Sequence, residues 1–260
     1  MKKGICIGSL PGDWPPVKRL ALAKEAGFDG VEVNTIHDPG EAERLRQQAD
    51  AVGLELHSVM DSLHWQCPLS SNDEETRQKG MDSIRTSIRT AQIVGADAVL
   101  VVPGVVNEQT TYEQCYANAR RSLEELLPAA EDAGVALCLE NVWNKFLLSP
   151  MEFRGYVDSF GSDYLQSYFD VGNIVLYGFP QHWIRSLGPT LRKVHVKGFD
   201  ARKRDFCWLL EGTIDWPAVM AALREIGYDG YVTAELPGYP GFAEQMVRDT
   251  AAHLDLMFEL

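Results

Sequence analysis

The chain has 260 residues, 45% of them hydrophobic, a length that suits one (β/α)8 barrel or two smaller domains and an apolar fraction sufficient for a large core. Its formal net charge of −13 argues against a nucleic-acid partner, because phosphate backbones recruit basic surfaces, and leaves a small molecule as the expected one. Five scattered cysteines without CxxC spacing read as reduced thiols, and the apolar run of MKKGICIGSLPG is too short and broken for a signal peptide, so a cytoplasmic chain with no membrane partner is expected.

KKGICIG supplies a first strand at residues 3–8, and Trp14 lies on the loop after it. A helix over 16–26 ends at Gly27, and GFDGVEVN runs into a second strand at 30–34 that carries Glu32. A helix over 40–52 ends at Gly53 before a third strand at 55–60, with His57 in LELHSVM and His64 on the irregular loop beyond. Helices over 74–95 and 110–133 close at Gly95 and Gly134, leading into strands at 98–103 and 135–140, the latter ending in Glu140. Ser149-Pro150 starts a helix over 149–159, a strand at 166–171 carries Asp170, and a helix over 179–187 precedes LRKVHVKG, a strand at 192–197 with His195. Asp215-Trp216-Pro217 starts a helix over 215–226, Gly227 ends it, a strand at 230–235 ends in Glu235, and a last helix covers 241–258.

The recurring unit is helix, glycine, strand. A glycine just past a helix end adopts the left-handed conformation that closes it, and strands joined by helical crossovers must run parallel. With no linker or low-complexity run, a single α/β domain over residues 1–260, a (β/α)8 TIM barrel, is expected, an open doubly wound sheet being the alternative.

In such barrels the chemistry sits at the carboxyl ends of the strands. Glu140, Asp170, His195 and Glu235 end four successive strands, so their side chains can converge. Taken singly, each could be a strand-end polar group that only bonds its own loop. Together, three carboxylates would repel one another without a cation, and the oxygen-rich set suits Mn²⁺, Mg²⁺ or Co²⁺, with Zn²⁺ also possible. Candidate substrate contacts are Lys197, on the same side as His195; Asn173, after Asp170; Arg202, in the basic run after strand seven; and Glu32, His57 and Trp14 near other strand ends. No GxGxxG, P-loop or Ser/His/Asp pattern is present.

The segments GFDGVEV, LHWQCPLSSNDEETRQKG, GADAVLVVPG, LENVWNKFLLSP, FDVGN, VHVKGFD and YVTAEL together resemble the sugar phosphate isomerase/epimerase superfamily, which includes ketose 3-epimerases and L-ribulose-5-phosphate 3-epimerase-like proteins. The resemblance covers essentially the whole chain. It implies a metal-dependent isomerase of sugars or sugar phosphates, acting by proton transfer through an enediolate. Glu140, Asp170, His195 and Glu235 would hold one divalent metal, Mn²⁺ first, and Glu140 and Glu235 would form the acid/base pair. A homodimer or homotetramer is expected by the same likeness. The alternative reaction on this site is dehydration of an inosose-like or keto-sugar substrate. Ketose 3-epimerases acting on free sugars commonly carry a histidine where this chain has Asn173, and a glutamate where it has Leu147.

Overall fold

The computed structural model describes residues 1–260. In chain order the elements are β1 (Lys2–Cys6), α1 (Pro16–Ala26), β2 (Gly30–Asn34), α2 (Pro39–Val52), β3 (Glu55–Met60), α3 (Glu74–Val94), β4 (Ala98–Val101), α4 (Tyr112–Ala133) and β5 (Ala136–Glu140). They continue with α5 (Pro150–Asp158), β6 (Leu165–Asp170), α6 (Val171–Ile174), α7 (Pro180–Leu187), β7 (Leu191–Val196), β8 (Gly198–Asp200), β9 (Asp205–Cys207), α8 (Trp216–Glu225), β10 (Tyr231–Ala234) and α9 (Ala243–Glu259). Eight strands pair into a closed barrel in the order β1-β10-β7-β6-β5-β4-β3-β2, every ladder parallel. The expected (β/α)8 barrel is the observed fold.

Period-two alternation divides each strand between two environments. Val99, Val101, Leu137, Leu139, Phe169, Val194, Val196 and Val232 face outward into the large apolar cluster shared with the helices. The alternate residues Ala98, Leu100, Ala136, Cys138 and Tyr168 fill one side of the barrel interior, with Met60 packed against them. The other side of the interior is polar. Gly27, Gly53, Gly95 and Gly134 close α1 to α4 with φ of 97, 70, 80 and 67°, so the glycine punctuation has the conformational origin assigned to it. Ser149 and Asp215 cap α5 and α8 by accepting from the backbone N–H of Glu152 and Ala218.

Three features were not expected, the first being the one-turn α6 that Asp170 caps directly after β6. The first strand stops at Cys6, because Ile7–Ser9 turns into a short 3-10 segment. The loop after β7 carries an antiparallel hairpin, β8 with β9, in which Gly198 pairs with Cys207 and Asp200 with Asp205. No helix is long and apolar enough to cross a membrane.

Candidate metal centre and active site

Glu140 and Asp170 are the last residues of β5 and β6, His195 is the penultimate residue of β7, and Glu235 lies one residue past β10. Asp170 and Thr233 each pair with His195 across the neighbouring ladders, which sets the four side chains around one arc of the rim. One ligand-type atom from each of Glu140, Asp170, His195 and Glu235 lies within 4.8 Å of all the others. His195 Nδ1 is 3.1 Å from Glu140 Oε1 and 3.9 Å from Glu235 Oε2. Asp170 and His195 are fully buried, whereas the Glu235 side chain keeps 35% of its exposure and opens the group to the rim.

Asp170 is fixed by its neighbours. Its backbone N–H donates to Asn141 Oδ1 at 2.8 Å, its carbonyl accepts from Asn141 Nδ2 at 2.8 Å, and its Oδ1 accepts the Asn173 N–H at 2.7 Å as the cap of α6. The remaining oxygen, Oδ2, is buried and accepts no hydrogen bond; Lys197 Nζ, 3.1 Å away, is its ion-pair partner. Asn141→Ala is therefore expected to leave both backbone groups of Asp170 unpaired and to cost about 1–3 kcal/mol, measured by denaturant unfolding.

His195 is held from below. Its Nε2 lies 2.8 Å from Glu32 Oε1, and Glu32 also accepts from Ser58 Oγ at 2.6 Å, Tyr168 OH at 2.6 Å and Cys6 Sγ at 3.3 Å. Burial alone would raise the Glu32 pKa, but the His195 ring, His57 and the Ser58 hydroxyl bring it down to about 2. An ionised Glu32 keeps a proton on His195 Nε2. Burial favours the neutral ring, but Tyr168, Glu32 and Cys6 hold its pKa well above the usual imidazole range. A cation at Nδ1 would therefore displace the second proton and take that lone pair beside Glu140, Asp170 and Glu235. Cys6, Glu32 and His195 also come within 4.8 Å of one another, but with these donors already on Glu32 the trio serves as a brace.

The four rim residues fit a divalent cation on two grounds: Asp170 keeps a buried oxygen, Oδ2, that accepts no hydrogen bond and is met only by the Lys197 ammonium, and the group's three carboxylates and one imidazole are the donor types such ions take. Without a cation the cluster is electrostatically unfavourable. Burial pushes Glu140 up to about 7, with Glu235 and Asp170 adding to the shift against the His195 ring, and burial likewise raises Asp170. Glu235 differs, because His195 and Lys197 outweigh its burial and hold it below the usual carboxylate range.

Lys197, just past β7, places Nζ 2.5 Å from Glu235 Oε2, 3.1 Å from Asp170 Oδ2 and 5.0 Å from the centre of the Phe206 ring. Its stem passes Gly172, where a Cβ would stand 2.6 Å from Lys197 Cγ. A cavity of about 580 Å³ opens here, lined among others by Cys6, Asn34, Met60, Lys197, Trp208 and Glu235. Trp143 stacks on Phe206 at 4.8 Å, and Trp208 Nε1 donates to the Pro237 carbonyl at 3.1 Å, which ties the chain just after β9 to the loop after β10.

Of the expected substrate contacts, Lys197 and Glu32 line this cavity, Glu32 as part of its floor. The other four are placed elsewhere. Asn173 is buried, its Nδ2 donating to the Asn141 carbonyl and its own carbonyl accepting from Trp143 Nε1, so it braces two loops. Arg202 points to solvent, 77% exposed, and is held by two bonds to Asp200. His57 stacks on Tyr231 at 3.9 Å and lines a separate cavity of about 720 Å³ at the amino ends of the strands, with Lys2, Glu55 and Lys193. Trp14 lines a third cavity with Phe242 and Glu244, under Lys18 Nζ. Sequence reasoning missed Asn141, Tyr168, Cys6 and Ser58. Tyr168 and Cys6 were within reach of strand alternation, because Tyr168 lies two residues before Asp170 and Cys6 ends β1.

Residues 20–257 match the family described as xylose isomerase-like TIM barrel. The chain belongs to that family. Similar relatives include L-ribulose-5-phosphate 3-epimerases from Salmonella heidelberg (strain SL476) and from Escherichia coli O1:K1 / APEC, each 28% identical over 244 residues, covering 90% of this chain and 86% of the relative. Among solved structures of the same fold, an L-ribulose 3-epimerase superposes with a TM-score of 0.85 at 20% identity, covering 99% of this chain and 94% of the other. A D-psicose 3-epimerase solved in the presence of D-fructose gives 0.84 at 19% identity, covering 99% of both chains. The 3-keto-D-glucoside 4-epimerase YcjR from E. coli gives 0.84 at 20% identity, covering 98% of this chain and 99% of the other.

Proposed function

We propose that the protein is a divalent-metal-dependent carbohydrate epimerase or isomerase of the ketose 3-epimerase type. The observation that carries this reading is the pairing of Glu140 and Glu235 in one cluster, from strands separated by β6 and β7. Two carboxylates reaching one substrate carbon from different sides are what inversion at that carbon requires. The names of the L-ribulose-5-phosphate 3-epimerase relatives support the same class.

Glu140, Asp170, His195 and Glu235 would hold the cation, whose chemistry when bound is Lewis acidity toward a substrate carbonyl. Three hard carboxylate donors support Mn²⁺ ahead of Zn²⁺. One glutamate then removes the proton beside the carbonyl, giving a planar enediolate, and the other returns a proton to the opposite face. Return to the neighbouring carbon would instead interconvert an aldose and a ketose. Lys197 offsets the charge of Glu235 and Asp170. Phe206 and Trp208 shield the mouth, which strengthens every electrostatic interaction beneath them. Dehydration on the same site has no support among the relatives named above, which are epimerases.

The test is incubation of the Mn²⁺-loaded protein with ketoses in D₂O. Deuterium at C3, together with the C3 epimer, is the expected result, lost after chelation and restored by Mn²⁺. An accumulating dehydrated product would overturn the assignment in favour of a lyase.

A further inference from the structure

We infer that the substrate of this site is an uncharged sugar and not a phosphate ester, an inference that rests on the epimerase reading above. A phosphate dianion held at the rim needs a cation, a free helix start or a cluster of unpaired N–H groups. The cavity is lined by one basic side chain, Lys197. Its ammonium already meets Glu235, Asp170 and the Phe206 ring. Turning it toward a phosphate would break its contacts with Glu235 and the Phe206 ring.

The basic run after β7 does not supply the missing charge. Arg202 is bonded twice to Asp200, Lys203 Nζ lies 3.9 Å from the same carboxylate, and both side chains are mostly exposed. Neither belongs to the cavity lining, and neither does Arg204.

In α/β barrels a phosphate commonly sits on the loops after the seventh and eighth barrel strands, against the start of a helix. Here the loop after β7 brings Phe206, Cys207 and Trp208 into the cavity wall, and the loop after β10 adds Leu236 and Pro237. The start of α8 is occupied by its own anion, because Asp215 accepts the Ala218 N–H. The start of α9 has no side-chain cap, but Glu244 lies in its first turn. It faces the separate cavity with Asp13 and Trp14, where Arg248 pairs with Glu244 and Glu25.

Charge decides in the same direction. The one ammonium at the mouth is already shared by Asp170 and Glu235, so a dianion entering there meets carboxylates and no free positive side chain. The apolar and aromatic lining suits the C–H faces of a neutral polyol, and Asn34 and Ser9 offer it polar groups. The chain thus departs from its L-ribulose-5-phosphate 3-epimerase relatives in substrate while keeping their class of reaction.

The experiment compares L-ribulose with L-ribulose 5-phosphate as substrates of the Mn²⁺-loaded protein, and ribitol with ribitol 5-phosphate as ligands by titration calorimetry. The expected result is kcat/KM for the neutral ketose higher by at least about tenfold and ribitol affinity higher by a similar factor, with inorganic phosphate leaving the neutral rate unchanged. Equal or better turnover or binding of the phosphate ester would overturn the inference. If neither ketose reacts, the epimerase reading rests on the D₂O test with other ketoses, while calorimetry still decides between the two ligand classes.

Discussion

Replacing Glu140 or Glu235 by glutamine is expected to lower the rate of epimerisation by about 10²–10⁴-fold, the contribution of a positioned acid or base. The two losses should differ in kind. With Glu140 neutralised, Glu235 can still exchange the proton on its own face, so one epimer takes up solvent deuterium without being converted; Glu235→Gln should show the same behaviour for the other epimer. Glutamine keeps one oxygen able to meet a cation, and metal content measured beside the kinetics separates lost ligation from lost proton transfer. If both variants retain more than about a tenth of the wild-type rate with metal bound, the acid/base pair is assigned wrongly. If both lose exchange with both epimers while still loaded, one carboxylate does not act alone on each face.

The barrel was legible because two independent signals agree along the chain. Glycines at 27, 53, 95 and 134 mark helix ends through their backbone conformation, and each is followed within a few residues by a strand. The four rim residues were legible for a related reason: a charged or imidazole side chain among Val, Leu and Phe is costly in a parallel strand unless the strand ends there. Depth along a strand was harder to read. A strand rises about 3.3 Å per residue, and His57 lies three residues below the end of β3, so it belongs to the lower interior with Tyr231. Glu32, two residues below the end of β2, comes to rest under His195. The shift in register between Val31 and Glu32 brings Ser58 opposite Glu32, a pairing that simple counting misses. The β8–β9 hairpin left almost no trace, because two three-residue strands flank the cationic turn Ala201–Arg204 and neither is long enough for a periodicity. Phe206 of that hairpin lines the cavity mouth, which explains why the rim cluster was more legible than the wall around it.

Glu32→Ala is expected to destabilise the protein by about 3–5 kcal/mol, the cost of removing one partner from a buried charged network. The loss exceeds one hydrogen bond because Ser58, Tyr168, Cys6 and His195 all point at this carboxylate from β3, β6, β1 and β7. Glu32→Gln is the sharper variant. It fits the same space, but its amide nitrogen brings two N–H groups into a set of donors and replaces an oxygen that accepts from them. The Nε2 proton of His195 then loses its anionic acceptor, and the ring is free to change tautomer and turn Nδ1–H toward the rim. Mn²⁺ affinity should fall by about 10–100-fold, as is usual when the partner of a metal-binding histidine is removed. Tyr168→Phe and Ser58→Ala serve as controls, since each deletes one donor to Glu32 and leaves the His195 contact intact. They should cost about 1.5–3 kcal/mol each in stability, less than Glu32→Ala, and leave Mn²⁺ binding close to wild type. Unchanged Mn²⁺ affinity in Glu32→Gln would show that His195 is oriented by the barrel packing alone, and that Glu32 is a structural anion with no part in preparing the rim.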